Sequence, residues 1–388
     1  MREYEGTHPW ITFDLDLRRV PHELWIALGE AQSKCEHISG TPLKPSVAEE
    51  LHTVFLAKGI RATTAIEGNT LTEDEVRKRI EGKLELPPSR EYLGTEIDNM
   101  LKAINSVKDG VLSGAHSGIS LNEIKDCNRQ ILDGLVLEEG VVPGDIRSYS
   151  VGVGRYKGAP AQDCEYLLGR MCEWISKDFP APKGQEIVYG IIKAVVAHLY
   201  LAWVHPFGDG NGRTARLVEF KLLLEAGVPT PAAHVLSNHY NQTRTDYYRM
   251  LDQASKSGGD IIPFMFYAVA GYVDGLREQI NTIRVQHLTV SWTNFVFEAF
   301  HNRTSMACHR QRRLVLDLST KPGEFIPFDG ISTLSVRTAA DYAGKTRKTI
   351  TRDLNALVKM DLLDWTADGI KAKVEKIEAF LPAKRPLR

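Results

Sequence analysis

The 388-residue sequence has few cysteines and no apolar segment long enough to suggest a membrane span. Its five cysteines are odd in number and widely spaced, so they predict neither a disulfide framework nor a metal-binding cluster. The longest apolar run, residues 191–204, is too short to cross a bilayer and contains Lys193 and His198. The start of the chain, MREYEGTHPW, lacks the basic and apolar regions of a secretory signal. These absences predict a cytoplasmic protein that has free thiols and no membrane partner.

Internal repeats and low-complexity tracts are also missing, and the composition is that of an ordinary globular protein. Hydrophobic residues make up 43% of the chain and charged residues 25%, and the length is sufficient for two or three domains. The charge is unevenly distributed, with 17 basic and 10 acidic residues from His301 onward, against 31 and 39 before it. This asymmetry predicts an appended C-terminal domain that has its own partner.

Two helices joined by a glycine-rich turn are predicted in the middle of the chain. The first, residues 187–204, is apolar and without proline, and Pro206 ends it because the residue before a proline avoids the α region. The second, roughly residues 212–225, has apolar residues at core spacing. Three glycines allow a tight turn between the helices, at Gly208, Gly210 and Gly212. The turn would direct unpaired backbone N–H groups of a helix start towards an anion such as phosphate.

Four side chains at this turn have the chemistry of metal-assisted phosphoryl or nucleotidyl transfer. His205 is of the residue type that accepts a proton from a hydroxyl near neutral pH. Asp209 can bind Mg²⁺, which takes few carboxylates and keeps phosphate oxygens among its ligands. Arg213 and Arg216 are three positions apart on the second helix, so both can reach one polyphosphate. The alternative is an ordinary loop with a hydrogen-bonded histidine and two solvated arginines.

The stretch HPFGDGNGRTAR, residues 205–216, resembles the Fic family signature HxFx[D/E]GNGRxxR at every specified position. The resemblance implies a mainly α, Fic-type helical bundle that transfers AMP from ATP to a hydroxyl of a target protein, itself included. It implies that His205 is the general base, that Asp209 binds Mg²⁺ and that Phe207 anchors the loop in the core. The implied phosphate-binding residues are Gly210, Asn211 and Gly212 at the α-phosphate, and Arg213 and Arg216 at the β- and γ-phosphates. Relatives that use other donors usually alter the glycines or the second arginine, so this intact signature favours ATP.

A second motif, TTAIEG at residues 63–68, resembles the family's inhibitory pattern [S/T]xxxE[G/N]. Thr63 and Glu67 are four positions apart, on adjacent turns of one predicted helix. The resemblance implies that Glu67 pairs with Arg216 and prevents the γ-phosphate from binding productively, because a carboxylate can occupy the donors of a guanidinium. A solvated glutamate before a turn is the simpler alternative. Removal of AMP by hydrolysis, with Glu67 orienting a water molecule, is a further one.

A short hairpin is predicted within residues 144–156, where Tyr149, Val151 and Val153 alternate between flanking glycines. The segment resembles the flap of the Fic family, which implies that its exposed edge binds the target by strand addition. An ordinary surface hairpin is the alternative. Further along, Tyr248 lies in a segment that resembles the last core segment of the family and is the candidate for a nucleotide-pocket tyrosine, although a core position is more usual for such a residue.

Three regions are predicted along the chain: residues 1–110 as a helical region with the inhibitory helix, 111–285 as the Fic catalytic core, and 286–388 as a winged-helix-like domain. Helices are predicted throughout the first two regions, at residues 46–65, 91–108, 120–132, 164–179 and 261–283. In the last region the winged-helix order is predicted, with helices at residues 335–342 and 346–359 and a hairpin at 362–370.

Four basic residues occupy the start of the second helix of this C-terminal region, where a recognition helix would face a DNA groove: Lys345, Arg347, Lys348 and Arg352. Dimerisation or protein docking are alternatives for such a domain. Two classes of function therefore remain, an AMP transferase restrained by Glu67 and a DNA-binding regulator with an accessory Fic domain. The expected partners are a target protein, a second copy of the chain and DNA, with ATP as substrate and Mg²⁺ as cofactor.

Overall fold

The computed structural model describes residues 2–114, 118–154 and 156–378, and it is mainly α-helical, as predicted. It divides into two compact units, Met1–Ile280 and Asn281–Arg388. The boundary between them, after Ile280, lies a few residues before the predicted start of the C-terminal domain at residue 286. The predicted boundary at residue 110 lies inside the first unit, which includes both the N-terminal helical region and the proposed catalytic core.

The helices of the first unit are, in chain order, α1 (Glu3–Thr7), α2 (His22–Gly40), α3 (Pro45–Ile66), α4 (Glu73–Ile80), α5 (Glu91–Leu112), α6 (Leu121–Ile131), α7 (Ala161–Lys177), α8 (Glu186–Val204), α9 (Asn211–Glu225), α10 (Thr230–Ala233), α11 (Val235–Gln242) and α12 (Arg244–Lys256). Strands β1 (Gly152–Val153) and β2 (Tyr156–Lys157) form an antiparallel pair between α6 and α7. Two 3₁₀ segments are Leu17–Arg19 and Pro88–Arg90. Helix α13 (Ile262–Ala299) contributes residues to both units.

Helices α8 and α9 form the centre of the first unit and pack against each other. Most residues of α8 are buried around the whole helix, as expected for a helix without a polar face. Helix α9 is covered by α3, α5 and α6, while α2 and α7 pack on α8. Contrary to the expectation from the longest apolar run, α8 is long and apolar enough to cross a membrane, but most of it is buried inside the unit, as in the core helix of a globular protein. The predicted catalytic turn therefore joins the two central helices.

Capping boxes begin two of the helices. The Thr72 hydroxyl accepts from the Glu75 amide at the start of α4, and the Glu75 carboxylate accepts from the Thr72 amide. Ser120 and Glu123 make the same reciprocal pair at α6. Each box satisfies backbone donors that a helix start leaves unpaired.

The sequence predicted the wrong length for one helix and for one hairpin. Helix α13 continues to Ala299, well past residue 283, because no glycine or proline interrupts the sequence between these positions. The hairpin has two-residue strands that begin at Gly152, so Tyr149 and Val151 precede the strands. Upstream of the strands, Ile146 forms an isolated antiparallel bridge with Phe207. This part of the segment therefore pairs with the predicted catalytic turn and not with the hairpin.

The second unit has its own hydrophobic core. It contains α14 (Met306–Leu318), α15 (Val336–Tyr342), α16 (Arg347–Lys359), β3 (Leu363–Thr366), β4 (Gly369–Ala372) and the 3₁₀ segments Phe328–Thr333 and Val374–Glu378. The strands pair antiparallel, with Leu363 opposite Ala372. Leu354, Leu357 and Ile370 are fully buried within the core. The order of helix, turn, helix and hairpin is the predicted one, and the assignment to the winged-helix class stays a prediction.

Candidate active site

The turn between α8 and α9 is held by its own side chains. His205 ends α8 in the left-handed conformation, with φ of 48°, and Gly210 precedes α9 with φ of 75°. The Asn211 side chain accepts from the Phe207 amide at 2.9 Å and donates to the Phe207 carbonyl at 2.8 Å. Phe207 is buried in the core, as predicted. Asn211 therefore braces the turn, and both polar atoms of its side chain are used within it.

His205 is half-buried beside several charged groups, and its pKa falls to about 4. Burial is the largest cause, because it disfavours the charged ring. A hydrogen bond with the Ala202 backbone and the carboxylates of Glu67 and Asp209 act in the opposite direction, and Arg147 reinforces the lowering. The ring is therefore neutral at physiological pH and can accept a proton from a hydroxyl.

Arg147 positions the loop around His205, a role that the sequence did not suggest. Its guanidinium donates to the carbonyls of His205 at 2.7 Å, Tyr149 at 2.6 Å, Ala159 at 2.5 Å and Val204 at 3.3 Å. The side chain is buried, and its acceptors include the last carbonyls of α8. The arginine after a Gly-Asp-Ile run was visible in the sequence, but its backbone partners were not.

Asn128, at the end of α6, ties three segments of the site together. Its amide nitrogen donates to the Asp209 carbonyl at 2.9 Å and to the Thr214 hydroxyl at 3.2 Å. Its amide oxygen accepts from the Gly144 backbone at 2.9 Å. No sequence pattern singled out this residue, because its partners lie far away in the chain.

Glu67 and Thr63 bind Arg216, which is almost fully buried in α9. Arg216 Nη2 lies 2.5 Å from the Glu67 carboxylate and 2.9 Å from the Thr63 carbonyl, and Nε donates to the Thr63 hydroxyl at 2.8 Å. Burial alone would raise the pKa of Glu67, but the charge and hydrogen bond of Arg216, aided by Arg213 and His205, lower it below its usual value. The carboxylate is therefore ionised in the site.

The Glu67 carboxylate also lies at the start of α9. A Cβ added at Gly212 would collide with the Glu67 carboxylate oxygen and approach Arg216 Nη1 to 3.1 Å. Backbone N–H groups at a helix start attract anions. Glu67 thus occupies the position at which the sequence predicted a phosphate.

Arg213 connects the turn to a second carboxylate. Its Nη1 donates to Glu96 of α5 at 2.9 Å, and its Nη2 lies 3.3 Å from Asp209. Asn69 donates to the other oxygen of Glu96 at 2.8 Å, which links the segment after Glu67 to the same network. Arg213 Nε is buried and has no hydrogen-bond partner among the described residues.

Asp209 is the candidate metal ligand, and its side chain is about half exposed at 48%. No cluster of three or more potential metal-ligating residues occurs in the part of the chain that the structure describes. A single carboxylate with phosphate oxygens fits Mg²⁺, which commonly binds through one or two carboxylates and substrate phosphates. The donor set therefore fits a metal that arrives with a nucleotide.

A cleft of about 490 Å³ opens beside these residues. Its lining includes His205 and Trp203 of α8, Gly212 and Arg216 of α9, Glu67, Tyr156 of the hairpin, and Tyr247, Tyr248 and Leu251 of α12. Tyr248 is 38% exposed, whereas the neighbouring Tyr247 is buried and bonds to His198 at 2.8 Å. Tyr248 thus lies in the cleft and is not a core residue, whereas Tyr247 is the buried tyrosine of this pair.

The three predicted flap residues have different environments. The Tyr149 hydroxyl packs so closely on Gly208 that a Cβ added there would collide with it, and the Tyr149 side chain is partly exposed. The Val151 carbonyl accepts from the Gly158 amide at 3.0 Å, just outside the paired strands. Val153 pairs with Tyr156 through the backbone, and its side chain lies outside the described part of the structure. The hairpin contributes Gly154 and Tyr156 to the cleft.

Comparison with known proteins shows which family part of this chain resembles. Residues 118–223 match the model of the Fic/DOC family. Protein adenylyltransferase fic-1 of Caenorhabditis elegans is 31% identical over 222 residues, which cover 57% of this chain and 41% of the relative. Protein adenylyltransferase Fic of Nematostella vectensis is 30% identical over 256 residues, covering 64% and 54%. The chain thus spans about half or less of the length of these curated relatives.

Solved structures show the same fold. A Fic family protein from Desulfovibrio desulfuricans G20 has a TM-score of 0.54 and 21% identity, covering 87% of this chain and 90% of the other. Residues 134–508 of Fic-1 from C. elegans give a TM-score of 0.55 and 25% identity, covering 68% and 74%. The helical bundle and its central turn define a Fic-type fold. The chain contains a domain of the Fic/DOC family, as the motif at residues 205–216 predicted.

Proposed function

We propose that this protein transfers AMP from ATP to a hydroxyl of a protein, other copies of this chain included. The relatives named as protein adenylyltransferases support this activity. The cleft brings together a neutral base, Arg216 and a helix start within one space, and Arg213 lies about one turn before Arg216 on the same helix. These groups match a reaction in which a hydroxyl oxygen attacks the α-phosphorus and pyrophosphate leaves.

Each residue has a role that follows from its position. His205 accepts the proton of the attacking hydroxyl, because its ring is neutral and lines the cleft. The backbone at Gly210 and Gly212 and the arginines Arg213 and Arg216 stabilise phosphate charge. Asp209 would hold Mg²⁺, which when bound neutralises phosphate charge and orients the pyrophosphate leaving group. Tyr248 forms part of the wall on which the nucleotide would rest.

The single observation behind the proposed regulation is the position of the Glu67 carboxylate, which lies against Gly212 and 2.5 Å from Arg216. A phosphate and a carboxylate compete for the same donors. We therefore propose that Glu67 and Thr63 hold the enzyme in a restrained state, which is relieved when the end of α3 moves away.

Mass spectrometry of the chain after incubation with ATP and Mg²⁺ tests the proposed reaction. Glu67→Gly should gain the mass of AMP on a hydroxyl side chain, and Glu67→Gly combined with His205→Ala should gain none. An adduct with a mass other than that of AMP would contradict the assignment of the transferred group.

A second candidate function is the removal of AMP from a modified protein. It is favoured by the proximity of the ionised Glu67 carboxylate and His205 in one cleft, since a carboxylate can orient an attacking water. Modified Glu67→Gly protein can be purified and mixed with wild-type chain in the absence of ATP. Release of AMP by wild type and not by Glu67→Gly would establish hydrolysis, and a stable adduct would exclude it.

DNA binding by the second unit is a further candidate, because Lys345, Arg347, Lys348 and Arg352 are all exposed at the start of α16. The opposite face of this helix, with Ile350 and Leu354, is buried in the core of the unit. Fluorescence anisotropy with a labelled duplex at several salt concentrations tests this proposal. Phosphate contacts predict an affinity that falls steeply with salt and is lost in Lys348→Glu/Arg352→Glu, and unaltered binding in that variant would contradict it.

A further inference from the structure

The N-terminal segment before α2 packs against the hairpin that forms one wall of the cleft. His8 is only 6% exposed, and its Nε2 lies 2.9 Å from the carbonyl oxygen of Lys157 in β2. A carbonyl oxygen can only accept, so Nε2 carries the proton and donates it to this bond. The other ring nitrogen lies 2.9 Å from the Thr7 hydroxyl. Both nitrogens of this buried ring are therefore satisfied, and one of them binds the hairpin.

The bond from His8 fixes a peptide unit that touches the proposed base. The Lys157 carbonyl and the Gly158 amide belong to the same planar peptide. The Gly158 amide donates to the Val151 carbonyl at 3.0 Å, so the peptide is held by the N-terminal segment through its oxygen and by the hairpin through its nitrogen. A Cβ added at Gly158 would lie 2.8 Å from Cβ of His205. This peptide therefore packs directly on His205.

Trp10 extends the contact to the walls of the cleft. Its ring centroid lies 4.9 Å from that of His8 and 6.5 Å from that of Tyr156, and the Tyr156 hydroxyl donates to the Trp203 carbonyl at 2.7 Å. The Trp10 carbonyl lies 2.5 Å from where a Cβ of Gly259 would be, just after α12. The N-terminal segment thus contacts both the hairpin and the end of a helix that lines the cleft.

We propose that His8 and Trp10 are positioning residues for the transfer reaction: they hold the peptide of residues 157–158 and Tyr156 in place against His205. The proposal rests on the transferase function proposed above. Neither residue lines the cleft, so their effect passes through the hairpin to the placement of the acceptor hydroxyl next to His205. Loss of the His8 bond should therefore lower kcat and leave the affinity for ATP almost unchanged.

The test uses the full chain in the Glu67→Gly background. His8→Phe keeps a ring and removes the donor, His8→Gln keeps a donor, and His37→Phe makes the same change at an exposed position of α2. Hydrogen exchange of the Gly158 amide and automodification with α-labelled ATP are measured for each. His8→Phe should speed exchange and lower kcat, each about fivefold or more, as expected for one lost buried hydrogen bond. KM of His8→Phe for ATP should stay within about twofold of its parent. His8→Gln should recover most of the amide protection and most of the kcat. His37→Phe should match its parent in both measurements.

Unchanged exchange of the Gly158 amide in His8→Phe would overturn the proposal, as would a rise in KM for ATP that accounts for the whole loss of activity. Amide exchange needs no catalysis, so it tests the role of His8 even if the Glu67→Gly parent transfers no AMP. In that event the transferase proposal would fail separately, on the absence of labelled product.

Discussion

At the scale of single residues, Thr63 and Glu67 bind the Arg216 guanidinium together and share its Nη2. Glu67 binds Nη2, whereas the Thr63 hydroxyl accepts from Nε at 2.8 Å and its carbonyl from Nη2 at 2.9 Å. The hydroxyl thus orients the guanidinium so that its outer nitrogen meets the carboxylate. A buried guanidinium loses more from a missing partner than an exposed one, because water cannot replace it.

Thr63→Val should therefore raise basal automodification several-fold, although less than Glu67→Gly does. Valine preserves the shape of the side chain and removes the hydroxyl, which leaves the Glu67 pair less well oriented. The matched control is Thr53→Val on the same helix, where the hydroxyl bonds only to the Glu49 carbonyl of its own helix. Initial rates with labelled ATP compare the three proteins, and equal rates for both valine variants would contradict this role.

The pH dependence of transfer follows from the lowered pKa of His205, about 4. A protonated ring cannot accept a proton, so activity requires the neutral form, which predominates above this pKa. In Glu67→Gly the loss of a nearby carboxylate removes one influence that raises the pKa. The kcat of this variant should change less than about twofold between about pH 5.5 and 8. A fall of about tenfold over that range would instead indicate a base with the ordinary histidine pKa near 6.5.

The residues found from the sequence differ in kind from those it missed. His205, Asp209, Arg213 and Arg216 lie within one turn and one helix, so their spacing alone brings them together. Glu67 was identified through its resemblance to a family motif, because no local pattern links residue 67 to residue 216. Arg147, Asn128 and His8 make their decisive bonds to distant backbone atoms. Any residue can supply a backbone carbonyl or amide, so the sequence contains no pattern that would reveal such partners.

At the scale of elements, the two central helices were predictable and the segments packed around them were less so. Helix α8 has an unbroken apolar sequence and α9 follows three glycines, and both were placed nearly correctly. The hairpin begins later in the chain than predicted, because Ile146 and Arg147 pair with the catalytic turn instead of extending the strand. That pairing is a tertiary contact, and the alternation of residues 149–153 gives no sign of it.

Arg147→Lys tests how strongly this segment is tied to the end of α8. One ammonium group cannot replace a planar guanidinium that reaches four carbonyls, so buried acceptors lose their partner. The variant should be destabilised by about 2–3 kcal/mol in urea denaturation. It should also lower automodification in the Glu67→Gly background, because the His205 carbonyl loses its donor. Arg170→Lys, an exposed change on α7, should do neither. Unaltered stability of Arg147→Lys would show that the four bonds contribute little.

At the scale of the whole molecule, the chain has two units with separate cores, and the proposed chemistry lies in the first. The basic surplus after residue 301 lies in the second unit, and four of its cations are exposed on α16. A partner specific to the second unit stays a prediction. The sequence indicated it through charge asymmetry and the order of helices and strands.

Leu354→Ala tests whether the two cores are energetically distinct. Leu354 is fully buried in the second unit, and its truncation should cost about 2–5 kcal/mol there. In the Glu67→Gly background, Leu354→Ala should leave the automodification rate at 25 °C unchanged. Leu168→Ala in the first core should instead lower the temperature at which activity is lost. Tryptophan fluorescence during denaturation reports the first effect, and enzymatic rates report the second. An equal loss of activity in both variants would contradict separate cores.

The most direct test of the account is the initial rate of automodification in wild type and Glu67→Gly, at saturating ATP and Mg²⁺. Under the proposed regulation the carboxylate at the start of α9 would compete with phosphate for Arg216, so its removal should increase the rate at least about tenfold, which corresponds to about 1.4 kcal/mol in the barrier. Glu67→Gln, which keeps the shape and loses the charge, should fall between the two. Equal rates in wild type and Glu67→Gly would contradict the claim that Glu67 restrains a competent transferase.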